Sequence, residues 1–123
     1  VNKYVFWSVL HQHVNVALSE DLSSYARGET FWQAVQNLCE ILPQCAPSAG
    51  RDESDINARL RMYCATGINR VEIFVEPDGA RFGVRCANSR SLIAADSEQA
   101  ALKKYISAKA KTSVVNTGEV IKA

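Results

Sequence analysis

Two histidines, four cysteines and a short run of acids are the residues of this chain whose types invite chemistry. His11 and His13 stand two residues apart. On a helix that spacing turns through about 200° and sends the rings to opposite sides. They could share a metal only if the segment were a strand. Cys39, Cys45, Cys64 and Cys86 contain no C-x-x-C pair, which argues against a zinc ribbon or knuckle. In an exported protein they could form two disulfides, with Cys39 and Cys45 closing a short loop over Pro43. No export signal is visible, so the expectation is four reduced, small apolar side chains. Asp52, Glu53 and Asp55 lack the alternation of a calcium loop. At a helix start they would offset its positive end. No nucleophile elbow, zincin or phosphate-loop pattern occurs, and no local signature supports a Cys–His nucleophile. The chain therefore reads as a non-enzyme without metal or cofactor.

Binding surfaces are better supported. The net charge of +1 gives no strong pull toward nucleic acid or membrane. It is unevenly spread, though. Residues 1–60 carry four basic and seven acidic side chains, and residues 61–123 carry ten and six. Any anion-binding surface therefore belongs to the second half. Its candidates are Arg81, Arg85 and Arg90 on predicted strands, with Lys103, Lys104 and Lys111 on the last helix. Phosphate contacts need such groups unpaired and on one face. Trp32, off the main stripe of its helix, and Phe74, a large apolar residue amid charges, are candidate anchors for a protein partner.

The elements that would position these residues follow from periodicity. Residues 4–18 place Phe6, Trp7, Leu10, Val14, Ala17 and Leu18 at helical spacing. They read as a helix, continuing or restarting toward Tyr25 and stopping at Gly28. Val5, Val9 and Val16 lie off that stripe, so the helix should be covered on more than one side. Thr30 with Gln33 forms a capping box for a helix ending near Pro43. Residues 43–51 are the main loop. Asp52 or Ser54 caps a third helix running to Ala65, with Ile56, Leu60, Tyr63 and Cys64 inward.

"RVEIFVEPDGARFGVRC", residues 70–86, reads as a hairpin. An Asp78-Gly79 turn would pair Val75 with Phe82, Ile73 with Val84 and Val71 with Cys86. It would set Glu76 opposite Arg81 and Glu72 opposite Arg85. Residues 90–95 return as a third strand, and Asp96 or Ser97 caps a final helix with Leu102, Tyr105 and Ile106 inward. The order helix, three strands, helix is also that of double-stranded-RNA-binding domains. Those domains carry a lysine pair at the start of the last helix, where this chain has the acidic "DSEQ".

The expected fold is a single α+β domain: two or three N-terminal helices (about 1–66), then a three-stranded antiparallel sheet and a closing C-terminal helix (about 68–111), then a tail, 112–123. No internal repeat, membrane span or leader is visible, and a reducing, cytoplasmic setting is the default expectation. The expected function is a non-enzymatic protein-interaction domain, an adaptor, inhibitor or regulatory subunit open to self-association as a homodimer. Nucleic-acid binding is the alternative.

Overall fold

The computed structural model describes residues 1–63 and 65–113. In chain order the elements are β1 (Asn2–His11), β2 (Val14–Ser19), β3 (Tyr25–Gly28), α1 (Phe31–Ile41), α2 (Glu53–Met62), β4 (Thr66–Asp78), β5 (Arg81–Cys86), β6 (Ser89–Ile93) and α3 (Glu98–Thr112). The strands form one antiparallel sheet in the order β3-β2-β1-β4-β5-β6. This corrects the expected topology. The sheet has six strands rather than three, and the first helix follows strands instead of preceding them.

Residues 4–18 are a β-hairpin, not a helix, and the reason lies in β1. It is a central strand buried on both faces. Tyr4 and Phe6 pack on one side, and Trp7 and Val9 on the other. A strand covered twice reads as a continuous apolar run without polar alternation. The off-stripe valines marked this second face. The turn is Gln12-His13, with φ of 52° and 67°. Two consecutive left-handed residues suit the twist of a tight hairpin, a role usually filled by Asn-Gly.

A constant offset of 67 residues relates two β-β-β-α halves. The hairpin-closing pairs are His11↔Val14 and Asp78↔Arg81, and the packing helices begin at Phe31 and Glu98 (78 − 11 = 98 − 31 = 67). Their N-caps, Thr30 and Ser97, obey the same offset. So does the central pair of β1 and β4, Val5↔Glu72. A pseudo-twofold axis therefore passes through that pair, perpendicular to the sheet. It keeps α1 and α3 on one face, where Val35, Leu38, Leu102, Tyr105 and Ile106 close over Tyr4, Phe6, Ile73, Val75 and Val84.

The opposite face breaks the symmetry. In the first half Trp7, Val9 and Val16 are covered by Ile56 and Leu60 of α2. Their counterparts in the second half are Phe74, Glu76 and Gly83, and no helix among the described residues covers them. The repeat is hidden in the sequence because one outer face is apolar and the other polar.

The 70–86 hairpin keeps its expected faces but slips by two residues. Its pairs are Asp78↔Arg81, Pro77↔Phe82, Glu76↔Gly83, Val75↔Val84, Phe74↔Arg85 and Ile73↔Cys86. Gly79, at φ 61°, and Ala80 make the turn. Proline explains the slip. Pairs next to a two-residue turn exchange both hydrogen bonds, and the next pair exchanges none. An Asp-Gly turn would place Pro77, which has no N–H, in the bonded pair. The observed turn moves it to the unbonded one.

Thr30 accepts from the Gln33 N–H, Asp52 caps α2 and Ser97 caps α3, all as expected. Tyr63, expected inward, is exposed. Cys64 and the tail beyond Ser113 lie outside the described residues. No helix described is long and apolar enough to cross a membrane.

Two carboxylates tie the β2–β3 loop and β4 to their surroundings. Asp21 accepts from the Ser23 hydroxyl (2.7 Å), the Ser23 N–H (3.0 Å) and the Ser19 hydroxyl (2.9 Å). Those bonds, Ser23's first, hold its carboxyl down from 3.8 to about 2. Burial pushes Glu72 up, but Arg70 and Lys3 outweigh it and its carboxyl is also lowered. A lowered folded value gives stability that is present above the unfolded value and lost as pH falls through the folded one. The urea midpoint should therefore fall between pH 3.8 and about 2. Asp21→Asn should flatten that fall, and an unchanged acid limb in the variant would contradict the assignment.

Candidate functional site

The two predicted anchors meet. Trp32 sits in the first turn of α1, 5.0 Å from the Phe31 ring and 6.1 Å, edge-on, from Tyr105. Phe74 stands on β4, with the Arg85 guanidinium 4.2 Å over its ring. Trp32 and Phe74 both line a cleft of about 650 Å³, with Phe31, Val71, Arg85 and Cys86. Its walls come from both faces of the sheet, which is possible only because the sheet has an edge there.

That edge belongs to β4. β1 covers one side of the strand from Thr66 to Val75, whereas β5 covers the other side only from Ile73 onward. Hydrogen-bonding directions alternate along a strand. Asp78↔Arg81 next to the turn is a bonded pair, so Glu76↔Gly83 and Phe74↔Arg85 are bonded as well. Phe74 thus points its backbone groups at β5, and by the same alternation so do Glu72 and Arg70. β5 has ended before it reaches them. Among the described residues, the N–H and C=O of Arg70 and Glu72 face an unpaired edge.

The first half shows what fills the equivalent place. Lys3 is the counterpart of Arg70, and its carbonyl accepts from the Ser48 N–H at 2.6 Å. The extended linker around Ser48 is held there by Glu20, which accepts from the Ser48 hydroxyl (2.6 Å) and the Ala49 N–H (2.8 Å). So the chain lays its own backbone along one of two equivalent edges.

The basic candidates do not share a face. Arg81, Arg85 and Arg90 stand on the outer face of β5 and β6, whereas α3 packs on the inner face. The sheet therefore lies between the arginines and the exposed Lys103, Lys104 and Lys111. The expected strand-to-strand ion pairs give way to others. Arg90 lies across Gly83 and reaches Asp78 (3.0 Å) and Glu76 (3.8 Å). Glu72 is held by Lys3 (3.3 Å) and by Arg70. Arg70 also meets Glu53 (3.6 Å) and Glu20 (4.0 Å). Arg81 and Arg85 have no carboxylate partner among the described residues. Lys104 donates to the Ala94 carbonyl at 2.7 Å.

His11 ends β1 and His13 sits in the turn after it. Among the described residues no three His, Cys, Asp or Glu side chains gather to hold a metal. Sequence reasoning missed a larger apolar groove, about 820 Å³, between α2 and the outer face of β1, β2 and β3. Tyr25, Met62 and Tyr63 at its rim are 59%, 80% and 73% exposed. Tyr63 escaped because it read as part of the inward stripe of a longer helix.

No protein family, curated protein or solved structure matches this chain.

Proposed function

We propose that this protein is a non-enzymatic protein-interaction domain that takes an extended segment of a partner along the free edge of β4. The open N–H and C=O groups of Arg70 and Glu72, at the lip of the cleft that joins Trp32 and Phe74, carry this reading. A strand added there gains main-chain hydrogen bonds from the edge and side-chain selectivity from the flanking cleft. Unpaired edges are normally shielded by charge, bulges or covering segments. Here the equivalent edge of β1 is covered by the linker at Ser48. Aromatic and arginine anchors beside the edge suit a contact surface. Arg85 has a charge to offer, so the matching segment carries apolar residues for Phe31, Trp32 and Phe74 and an acidic residue for Arg85.

The test is a displayed-peptide selection against the immobilised full chain. Selected peptides should be β-prone with an acidic position. Trp32→Ala and Phe74→Ala should each weaken them about tenfold or more, as anchors of roughly 1.4 kcal/mol or above do. Amide exchange at Arg70 and Glu72 should be fast in the free protein and slow in the complex. Peptides that bind without protecting those amides would overturn the edge assignment.

A further inference from the structure

Cys39 and Cys45 come from different surroundings and meet in the core. Cys39 lies in α1, and Cys45 lies in the linker that follows it. Both are buried, and their sulfurs are 3.4 Å apart. A disulfide needs about 2.0 Å, so closure asks for a further approach of only roughly 1.4 Å.

The linker is held there by something other than sulfur. Gln99, in the first turn of α3, accepts from the Cys45 N–H at 2.9 Å and donates to the Cys45 carbonyl at 2.8 Å. That two-point clamp positions Cys45, while α1 positions Cys39. The thiols are therefore juxtaposed before any bond forms, the condition under which an intramolecular step outruns its bimolecular equivalent. From this geometry we propose that Cys39 and Cys45 are a dithiol that a small organic disulfide converts to a disulfide.

The two sulfurs have unequal roles. The two thiols share one hydrogen bond that either could donate; with Cys39 as its donor, that bond lowers the Cys45 thiol against the opposing effect of burial, and the Lys103 charge lowers it further. The same hydrogen bond, with burial, pushes Cys39 up. Cys45 also lines a cavity of about 240 Å³, whose wall carries Glu20, Asp21 and Arg51, and Cys39 does not. Cys45 is thus the attacking thiolate.

With oxidised glutathione, the Cys45 thiolate attacks one glutathione sulfur and expels the other glutathione as a thiolate. Cys39 then gives its proton to solvent, and its sulfur attacks Cys45 Sγ, expelling the second glutathione. Two protein thiols are oxidised to one disulfide, and one glutathione disulfide is reduced to two thiols. The bond fastens the linker to α1. That linker crosses the end of the sheet, meets Lys3 through Ser48 and delivers α2 to the outer face.

The full chain is incubated with oxidised glutathione, thiol-blocked and peptide-mapped without reduction. A single internal Cys39–Cys45 link is expected. The thermal midpoint should rise on the order of 5 °C and return with dithiothreitol. Cys39→Ala should instead trap a glutathione adduct on Cys45. The wild-type map stands alone should that variant fold poorly. Inert thiols, a lasting adduct on the wild type, or a link through Cys64 or Cys86 would each overturn the proposal.

Discussion

Trp7→Ala is expected to destabilise the protein by about 3–5 kcal/mol, the range for emptying a buried aromatic site. Phe74→Ala, at the position 67 residues on, should cost only about 1 kcal/mol. The pseudo-twofold axis makes these two side chains counterparts on the outer face of the sheet. Trp7 is 2% exposed, packed with Val9 and Val16 beneath Ile56 and Leu60. Phe74 is half-buried, with Arg85 over its ring and no helix among the described residues above it. The difference between the costs thus measures what α2 adds to one half and not to the other. Trp7 Nε1 has no hydrogen-bond partner among the described residues. Trp7→Phe removes that unpaired donor with part of the ring, so it should cost well under half as much as Trp7→Ala. Urea denaturation of the three variants at neutral pH decides the matter. Equal costs for the two alanine variants would mean that Phe74 is covered as thoroughly as Trp7, and the open outer face would be lost with it.

The parts of the fold legible in the sequence are those governed by local chemistry. Thr30, Asp52 and Ser97 cap their helices because a short polar side chain satisfies an N–H two or three residues on, whatever lies elsewhere. The apolar face of the second hairpin was legible because Ile73, Val75, Phe82, Val84 and Cys86 recur at every second position of their strands. Its register was not, since a slip of two preserves every face and only the missing Pro77 N–H separates the choices. The first hairpin failed for a tertiary reason. Its burial on both faces depends on α1 and α3 on one side and α2 on the other, all outside the hairpin, and erases the alternation that marks a strand. Of the candidate site, Trp32 and Phe74 stood out as misplaced apolar residues, but their meeting in one cleft did not. It depends on where β5 stops beside β4, a length mismatch that a single strand's pattern does not record.

Gly28→Ala should destabilise the protein by about 1–3 kcal/mol and disturb the cleft as well. Gly28 ends β3, directly beneath the start of α1. A Cβ there would stand 2.4 Å from the Ala34 nitrogen and 2.8 Å from both Ala34 Cα and the Gln33 carbonyl carbon. These are helix backbone atoms, so no rotamer change relieves the clash and α1 must lift. The helix is otherwise tied down close by. Asn37 donates to the Arg27 carbonyl at 2.8 Å, and Asn15 donates to the Glu29 carbonyl at 3.0 Å. Lifting α1 moves Phe31 and Trp32, one wall of the cleft, relative to Val71 and Phe74 on β4. Gly79→Ala is the control. Gly79 needs its left-handed torsion, φ 61°, but has open space around it. Its substitution should cost about 1–2 kcal/mol of backbone strain without touching the cleft. The chain has two tryptophans, so in a Trp7→Phe background the emission comes from Trp32 alone. Gly28→Ala should shift that emission and lower the urea midpoint, whereas Gly79→Ala should lower the midpoint and leave the emission where it was. An unmoved Trp32 signal in Gly28→Ala would show that α1 does not rest on β3 at Gly28, and the placement of the cleft wall would fall with it.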